Sequence, residues 1–288
     1  MTGGTSGFGK VAAENILATP DTRLFLGTRR KQVAGAEHFP LDLADLASVR
    51  AFVAAITGRL GSSPINSLIL NAGLSLPSDG LRTIDGFETT FAVNHLAQYL
   101  ILRSLGDRLA PGARVVITTS DAHDPAINSF APPQYSDARH LAHRSAQSAA
   151  SSGAFKRGLR AYSESKLCNL LTAGAFSEQV ETKRRNIIVI AYNPGFTPGT
   201  GINRAAPLLL RIAIGTIGPV LRPLLRLNRI GDAGEMLASL ALGAIHPPPN
   251  RIYASQVKRR LTWPDPSEVA RRPDVRDALW RDSADLMT

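Results

Sequence analysis

TGGTSGFGKVAAENIL, residues 2–17, puts four glycines within seven positions and runs directly into an apolar-periodic helix. A glycine loop opening a helix, followed by alternating strand and helix patterns, implies a parallel sheet covered on both faces. The remaining chain keeps that alternation. Strand patterns fall at RLFLG (23–27), SLILNAG (67–73), RVVITTS (114–120), NIIVIAYNPG (186–195) and RIYAS (251–255). Helical patterns lie at 8–18, 46–60, 85–105, 160–180 and 232–245. The fold class is therefore α/β, a doubly wound parallel sheet in one domain spanning 1–288. It carries an insertion at 121–159, rich in Ala, Ser, Pro and His, with room for one short helix.

The start of the chain is unusual for this class. A doubly wound sheet places a buried first strand ahead of its glycine loop, and here only Met1 precedes Thr2-Gly3. The sheet is expected to lack that strand. The reading predicts a vacancy beside RLFLG and SLILNAG, or those two strands drawn together. A start assigned downstream of the true one accounts for it.

Composition narrows the classes further. The 288 residues are 44% hydrophobic, enough for a full core. A single cysteine, Cys168, excludes a disulfide framework or a cysteine-based metal site and favours a reducing compartment. Met1 running straight into the loop predicts no leader, and no uncharged apolar run approaches the ~20 residues of a membrane span. A cytoplasmic protein is expected. The net charge of +10 comes from scattered Arg without interleaved aromatics, a solvated surface rather than a nucleic-acid site. His123, His140 and His143 lack completing carboxylates or thiols, so they read as surface histidines and no metal is expected.

Tyr162 and Lys166 in AYSESKLCNLL stand one helical turn apart, on the same face. An ammonium beside a phenol favours phenolate and is expected to lower the Tyr162 pKa. A tyrosine so tuned exchanges a proton with a carbonyl or alcohol oxygen. Taken alone, Y-x-x-x-K is better explained by a Tyr packed over a Lys stem.

The motifs acquire weight in order. Gly3, Gly7 and Gly9 (G-x-x-x-G-x-G), NAG at 71–73, NH at 94–95, a serine ending a strand at 120, Y-x-x-x-K at 162–166 and N-P-G at 193–195 together resemble the short-chain dehydrogenase/reductase family. FAVNHLAQYLI (91–101), YSESKLCNLL (162–171) and NPGFTPGTG (193–201) are most similar to its retinol dehydrogenase and protochlorophyllide reductase branch.

The resemblance implies roles. Gly3, Ser6, Gly7, Phe8 and Gly9 would form the pyrophosphate loop at a helix N-terminus, with Gly3 for the turn, Gly7 for close approach and Gly9 for helix packing. Thr28 stands where NAD-preferring relatives carry an acid, and Arg29 and Arg30 follow, which implies NADP(H) through a guanidinium on the 2′-phosphate. Asp42 and Leu43 would contact the adenine. Asn71, Ala72, Gly73, Pro194, Gly195 and Thr197 would line the cofactor. The catalytic set would be Asn94, Ser120, Tyr162 and Lys166: Ser120 holding the substrate oxygen, Tyr162 exchanging the proton, Lys166 serving phenol and ribose, Asn94 positioning a relay water. Thr119 is the rival of Ser120, since neighbours on a strand face opposite ways. Asn94 also reads as a buried amide fixing a helix bend, and Asp42 as a helix N-terminal acid.

Residues 196–231 would form a substrate lid. Within it Arg204, Arg211, Arg222, Arg226 and Arg229 flank an apolar run, PLLLRIAIGTIGPVLRPLLRL, which suits an apolar substrate or peripheral contact with an anionic membrane through 204–230. A packed helix pair with an exposed Arg face explains it as well. The resemblance thus implies an NADP-dependent reductase or dehydrogenase acting on a small apolar carbonyl or alcohol. C=C reduction of the protochlorophyllide reductase type is the rival chemistry, and a non-catalytic NADP sensor the rival class. Substrate identity, reaction direction and oligomeric state are not encoded in these motifs.

Overall fold

The computed structural model describes residues 1–30, 32–135, 137–145, 153–198, 228–257 and 259–287. In chain order the elements are α1 (Gly7–Leu17), β1 (Phe25–Thr28), β2 (Glu37–Pro40), α2 (Leu46–Leu60), β3 (Ile65–Leu70), α3 (Thr89–Phe91), a π turn (Ala92–Leu96), α4 (Ala97–Leu105), β4 (Leu109–Thr118), α5 (Ala138–His143), α6 (Ala154–Glu178), α7 (Val180–Arg184), β5 (Ile188–Asn193), α8 (Ile230–Leu242), β6 (Tyr253–Val257), β7 (Arg260–Thr262) and α9 (Pro273–Asp285).

β1 pairs with β2, and β3-β4-β5-β6 form a parallel run closed by antiparallel β7. Thr2 joins the two parts through parallel bridges to Gly27 and to Leu70. Its N–H donates to the Ile69 carbonyl at 2.9 Å, and the Gly27 N–H donates to the Met1 carbonyl at 3.0 Å. Met1 and Thr2 thus stand between β1 and β3 and satisfy both edges at the level of the loop. The expectation of a vacancy or of drawn-together strands is corrected at that level: two residues hold the two strands apart.

Strand alternation sorts side chains into two cores. Leu68, Leu70, Val115, Ile117, Val189 and Ala191 face a core with α2, α4 and α6, while Ile69, Val116, Ile190 and Tyr192 face one with α1 and α8. α1 and α8 pack closely because Gly234 has no side chain: a Cβ there would lie 2.5 Å from Val11 Cβ and 2.6 Å from the Phe8 carbonyl.

Five features depart from the sequence reading. β2 and β7 were not expected, and neither was α9. The helix expected over 85–105 begins at Thr89, where Glu88 caps it by accepting the Thr90 and Phe91 N–H groups, and it is interrupted by the π turn. α6 begins at Ala154, inside the stretch read as insertion. Of the expected lid, 199–227 lie outside the described residues, and with them Arg204, Arg211, Arg222 and Arg226. Among the described residues no helix is long and apolar enough to cross a membrane.

Candidate active site

The sheet's parallel strands deliver the glycine loop and the β3, β4 and β5 C-terminal ends to one edge, where a cavity of about 390 Å³ opens. Gly3, Ser6, Gly7, Phe8 and Gly9 line one part of it, together with Asn71, Ala72 and Gly73. Gly3 (φ +68°) and Gly7 (φ +55°) both take the left-handed backbone that favours glycine. A Cβ on Gly9 would fall 2.1 Å from the Gly3 carbonyl, so the helix start lies directly on the loop. Ser6, at the head of α1, makes no side-chain cap. The helix therefore begins without a side-chain acceptor for its first N–H groups.

Two residues absent from the sequence reading hold this loop. Thr2 Oγ1 accepts the Asn71 and Ala72 N–H groups at 3.0 and 3.1 Å and donates to Gln98 Oε1 at 3.0 Å. Gln98 returns to the Ala72 carbonyl at 3.2 Å. Asn71 completes the tie, donating to the Gly3 carbonyl at 3.1 Å and accepting from Thr118 Oγ1 at 2.9 Å. The available signal was the position of Gln98, four residues beyond Asn94 on one helical face.

The candidate catalytic residues converge from the end of β4 and from α6. Ser120, Tyr162 and Lys166 all line the cavity. Thr119 lines the cavity too, but its hydroxyl donates to the Lys166 backbone carbonyl at 2.7 Å. Lys166 is 2% exposed, and its Nζ donates to the Thr118 carbonyl at 3.0 Å. Desolvation lowers its pKa to about 8. Tyr162 departs from expectation. Its pKa is raised, because burial outweighs a hydrogen bond with Ser120 and the charge of Asp121 pushes the same way. The Lys166 ammonium lies 5.7 Å from the ring centroid and turns to the Thr118 carbonyl, so it does not offset the desolvation.

Asn94 sits in the π turn, fully buried, and does not line the cavity. Its Oδ1 accepts the Leu74 N–H at 2.7 Å; its Nδ2 donates to the Leu74 carbonyl at 2.8 Å and to Ser165 Oγ at 3.0 Å. π turns recur at functional sites; this one aims an amide at two neighbouring elements. A Cβ on Gly73 would lie 3.2 Å from Lys166 Nζ and 3.3 Å from Asn94 Oδ1, so both polar atoms crowd the bare glycine.

The N-P-G loop is held by a residue the sequence reading passed over. Asn228 Nδ2 donates to the Pro194 and Gln256 carbonyls at 2.7 and 2.9 Å. Pro194, Gly195, Phe196 and Thr197 line the cavity. Gly195 takes φ +64°, and Thr197 Oγ1 donates to the Pro194 carbonyl at 3.1 Å.

Arg29, Asp42 and Leu43 stand outside the cavity wall. Arg29 and Arg30 are exposed just past β1, the neighbour of the Thr2 strand position. Asp42 folds an Asx turn onto Ala44 (3.0 Å), its N–H held by Ser48 Oγ at 2.9 Å, while Asp45 caps α2. Leu43 packs against the core.

His140 and His143 are exposed, but His123 corrects the surface reading at 1% exposure. Its Nδ1 pairs with the Ser120 carbonyl at 2.7 Å and its Nε2 accepts the Ser267 N–H at 3.2 Å. Burial lowers its pKa. Cys168 is fully buried in the core, its thiol pushed up by desolvation, consistent with packing.

Residues 1–154 match the family model for short chain dehydrogenases. The chain is 33% identical over 276 residues to dehydrogenase/reductase SDR family member 13 of Bos taurus, covering 88% of this chain and 65% of that protein. It is 31% identical over 228 residues to a chloroplastic protochlorophyllide reductase of Daucus carota, covering 71% and 56%. The chain thus spans less than two thirds of the length of these relatives. Among solved structures, an uncharacterized protein from Mycobacterium paratuberculosis superposes with a TM-score of 0.70 at 25% identity, over 99% of this chain and 91% of that one. A short-chain dehydrogenase from Burkholderia cenocepacia shares the fold at TM-score 0.56 and 22% identity, over 83% and 88%. The chain belongs to the short-chain dehydrogenase/reductase family, in its retinol dehydrogenase and protochlorophyllide reductase-like branch.

Proposed function

We propose that the protein is an NADP-dependent oxidoreductase interconverting an apolar carbonyl and its alcohol. The observation that carries the reading is the convergence of Ser120, Tyr162 and Lys166 on the cavity that the glycine loop also lines. The residues fit a nicotinamide dinucleotide. A Cβ on Gly3 or Gly9 would strike Ala72 at 2.7 Å or the Gly3 carbonyl at 2.1 Å, so only bare glycines let the loop lie against β3 and the start of α1, and that uncapped start suits a pyrophosphate. Arg29 and Arg30 beyond β1, with no acid at Thr28, support NADP over NAD.

When bound, the nicotinamide supplies or accepts the hydride. The protein's own work is proton handling and orientation. Burial keeps the Tyr162 proton in place near neutral pH, which suits a donor to a carbonyl oxygen. Ser120 holds the same oxygen. Lys166 stands behind the phenol, fixed by the Thr118 carbonyl, and Asn94 locks Leu74 and Ser165 around them. Phe155, Leu159 and Phe196 give the cavity an apolar wall, which supports an apolar substrate.

A second reading, C=C reduction, is favoured by the protochlorophyllide reductases among the relatives. A panel of ketones, aldehydes, alcohols and conjugated enones, followed by NADPH absorbance with product analysis, tests both. Turnover of a carbonyl or alcohol supports the first reading, saturation of the enone alkene alone the second, and inert behaviour toward the whole panel by protein that binds NADPH contradicts both.

A further inference from the structure

A serine hydroxyl has one proton to give. Here Ser120 gives it to a neighbour: its Oγ donates to Asp121 Oδ1 at 3.2 Å while accepting the Ala122 N–H at 3.2 Å. Asp121 is half-buried and itself lines the cavity, where among the described residues the other charged side chain of the wall is Lys166. If Ser120 is to hold a substrate oxygen, as the proposed function requires, that proton must turn from the carboxylate to the substrate. Asp121 then faces the cavity with an acceptor oxygen short of a donor, within two hydrogen bonds of the reacting carbonyl. A plain ketone leaves it to water. A hydroxyl on the adjacent carbon replaces the lost donor, and a carboxylate at that carbon meets like charge.

We propose that Asp121 is a specificity-determining residue, recognising a hydrogen-bond donor on the carbon next to the reacting carbonyl and rejecting a carboxylate there. The inference rests on the oxidoreductase reading above and names its substrate class: an apolar chain ending in an α-hydroxy ketone, or the matching vicinal diol. Charge-assisted hydrogen bonds are the strong ones, and a site built for a polar substituent discriminates sharply against an analogue lacking it. Among the other cavity hydroxyls, Thr118, Thr119, Ser163 and Thr197 donate to Asn71, Lys166, Leu159 and Pro194 respectively, and none carries a charge like that of Asp121.

Three probes of equal chain length isolate the effect: 2-octanone, 1-hydroxy-2-octanone and 2-oxooctanoate. Dissociation constants are measured by calorimetry on NADP⁺-loaded protein, where no ketone can be reduced, and kcat/KM separately with NADPH. The wild type should bind the hydroxy ketone about tenfold or more tighter than 2-octanone, and the keto acid weakest. Asp121→Ala should bring hydroxy ketone and ketone within about twofold of each other. Asp121→Asn keeps an acceptor for Ser120 but no charge, and should improve keto acid binding about tenfold or more, with NADPH affinity unchanged. The proposal is overturned if the wild type fails to rank the probes in this order, if both variants keep the wild-type order, or if the variants weaken NADPH instead. Correct ranking in binding without turnover of any probe would contradict the oxidoreductase reading and leave the recognition by Asp121 standing.

Discussion

Thr119 and Lys166 are joined by a 2.7 Å hydrogen bond from the threonine hydroxyl to the lysine's backbone carbonyl. The bond ties the residue before Ser120 to the middle of α6, one turn beyond Tyr162. The distance between serine and tyrosine is therefore set by backbone held from both sides, with Lys166 Nζ and Asn169 Nδ2 adding bonds of 3.0 and 3.1 Å to the Thr118 carbonyl. Thr119→Val keeps the shape and removes the bond. A loss of about 0.5–1.5 kcal/mol of stability is expected in urea unfolding, and Thr119→Ser should recover most of it. Equal stability of the Val variant would show that the hydroxyl does not hold strand to helix.

Lys166 gives the site a pH signature. Burial lowers its pKa from 10.5 to about 8. The unfolded chain then binds the extra proton between about pH 8 and 10.5, so the cost of burying the ammonium is fully present below pH 8 and is relieved as pH rises through that window. The stability of the wild type relative to Lys166→Met should rise by up to about 3 kcal/mol between pH 8 and 10.5, an order-of-magnitude figure. Unfolding midpoints of both proteins across that range check it, and a flat difference would mean the lysine keeps its ordinary affinity for the proton.

Arg29 is expected to read the cofactor's 2′-phosphate. Arg29→Ala should raise the NADPH dissociation constant about tenfold or more and leave NADH nearly unchanged, since a charge-assisted contact is lost for one ligand only. Fluorescence titration with the two nucleotides measures the ratio. Equal losses would assign Arg29 to the general basic surface.

The parts of this site that the sequence disclosed are those whose chemistry demands a residue type at a fixed spacing. Gly3 and Gly7 need left-handed backbone, and Tyr162 and Lys166 need one helical face. Alternating strands such as Val115–Val116–Ile117 are legible for the same local reason. What escaped depends on distant partners. The short strand Glu37–Pro40 is only half-buried and ends in proline, so it carries no alternation. The π turn at Asn94 is tied to the Leu74 backbone twenty residues away. His123 is buried beneath Ser267 and Tyr253, which no local pattern reveals. The Tyr162 pKa went the opposite way to expectation because burial, a property of the whole fold, outweighed its hydrogen bond with Ser120, while the Lys166 ammonium turns to the Thr118 carbonyl. α9, like Gln98, left a local sign unread: Pro273 in its first turn.

The central claim is that Tyr162 passes the proton. Tyr162→Phe removes one hydroxyl and keeps the ring, so the fold and NADPH affinity should survive. With a substrate identified from the carbonyl panel, single-turnover reduction by NADPH-loaded wild type and variant measures the claim directly. The account predicts a fall of about 10²–10⁴-fold in the variant with an unchanged NADPH dissociation constant. An undiminished rate would make Tyr162 a packing residue and contradict the mechanism.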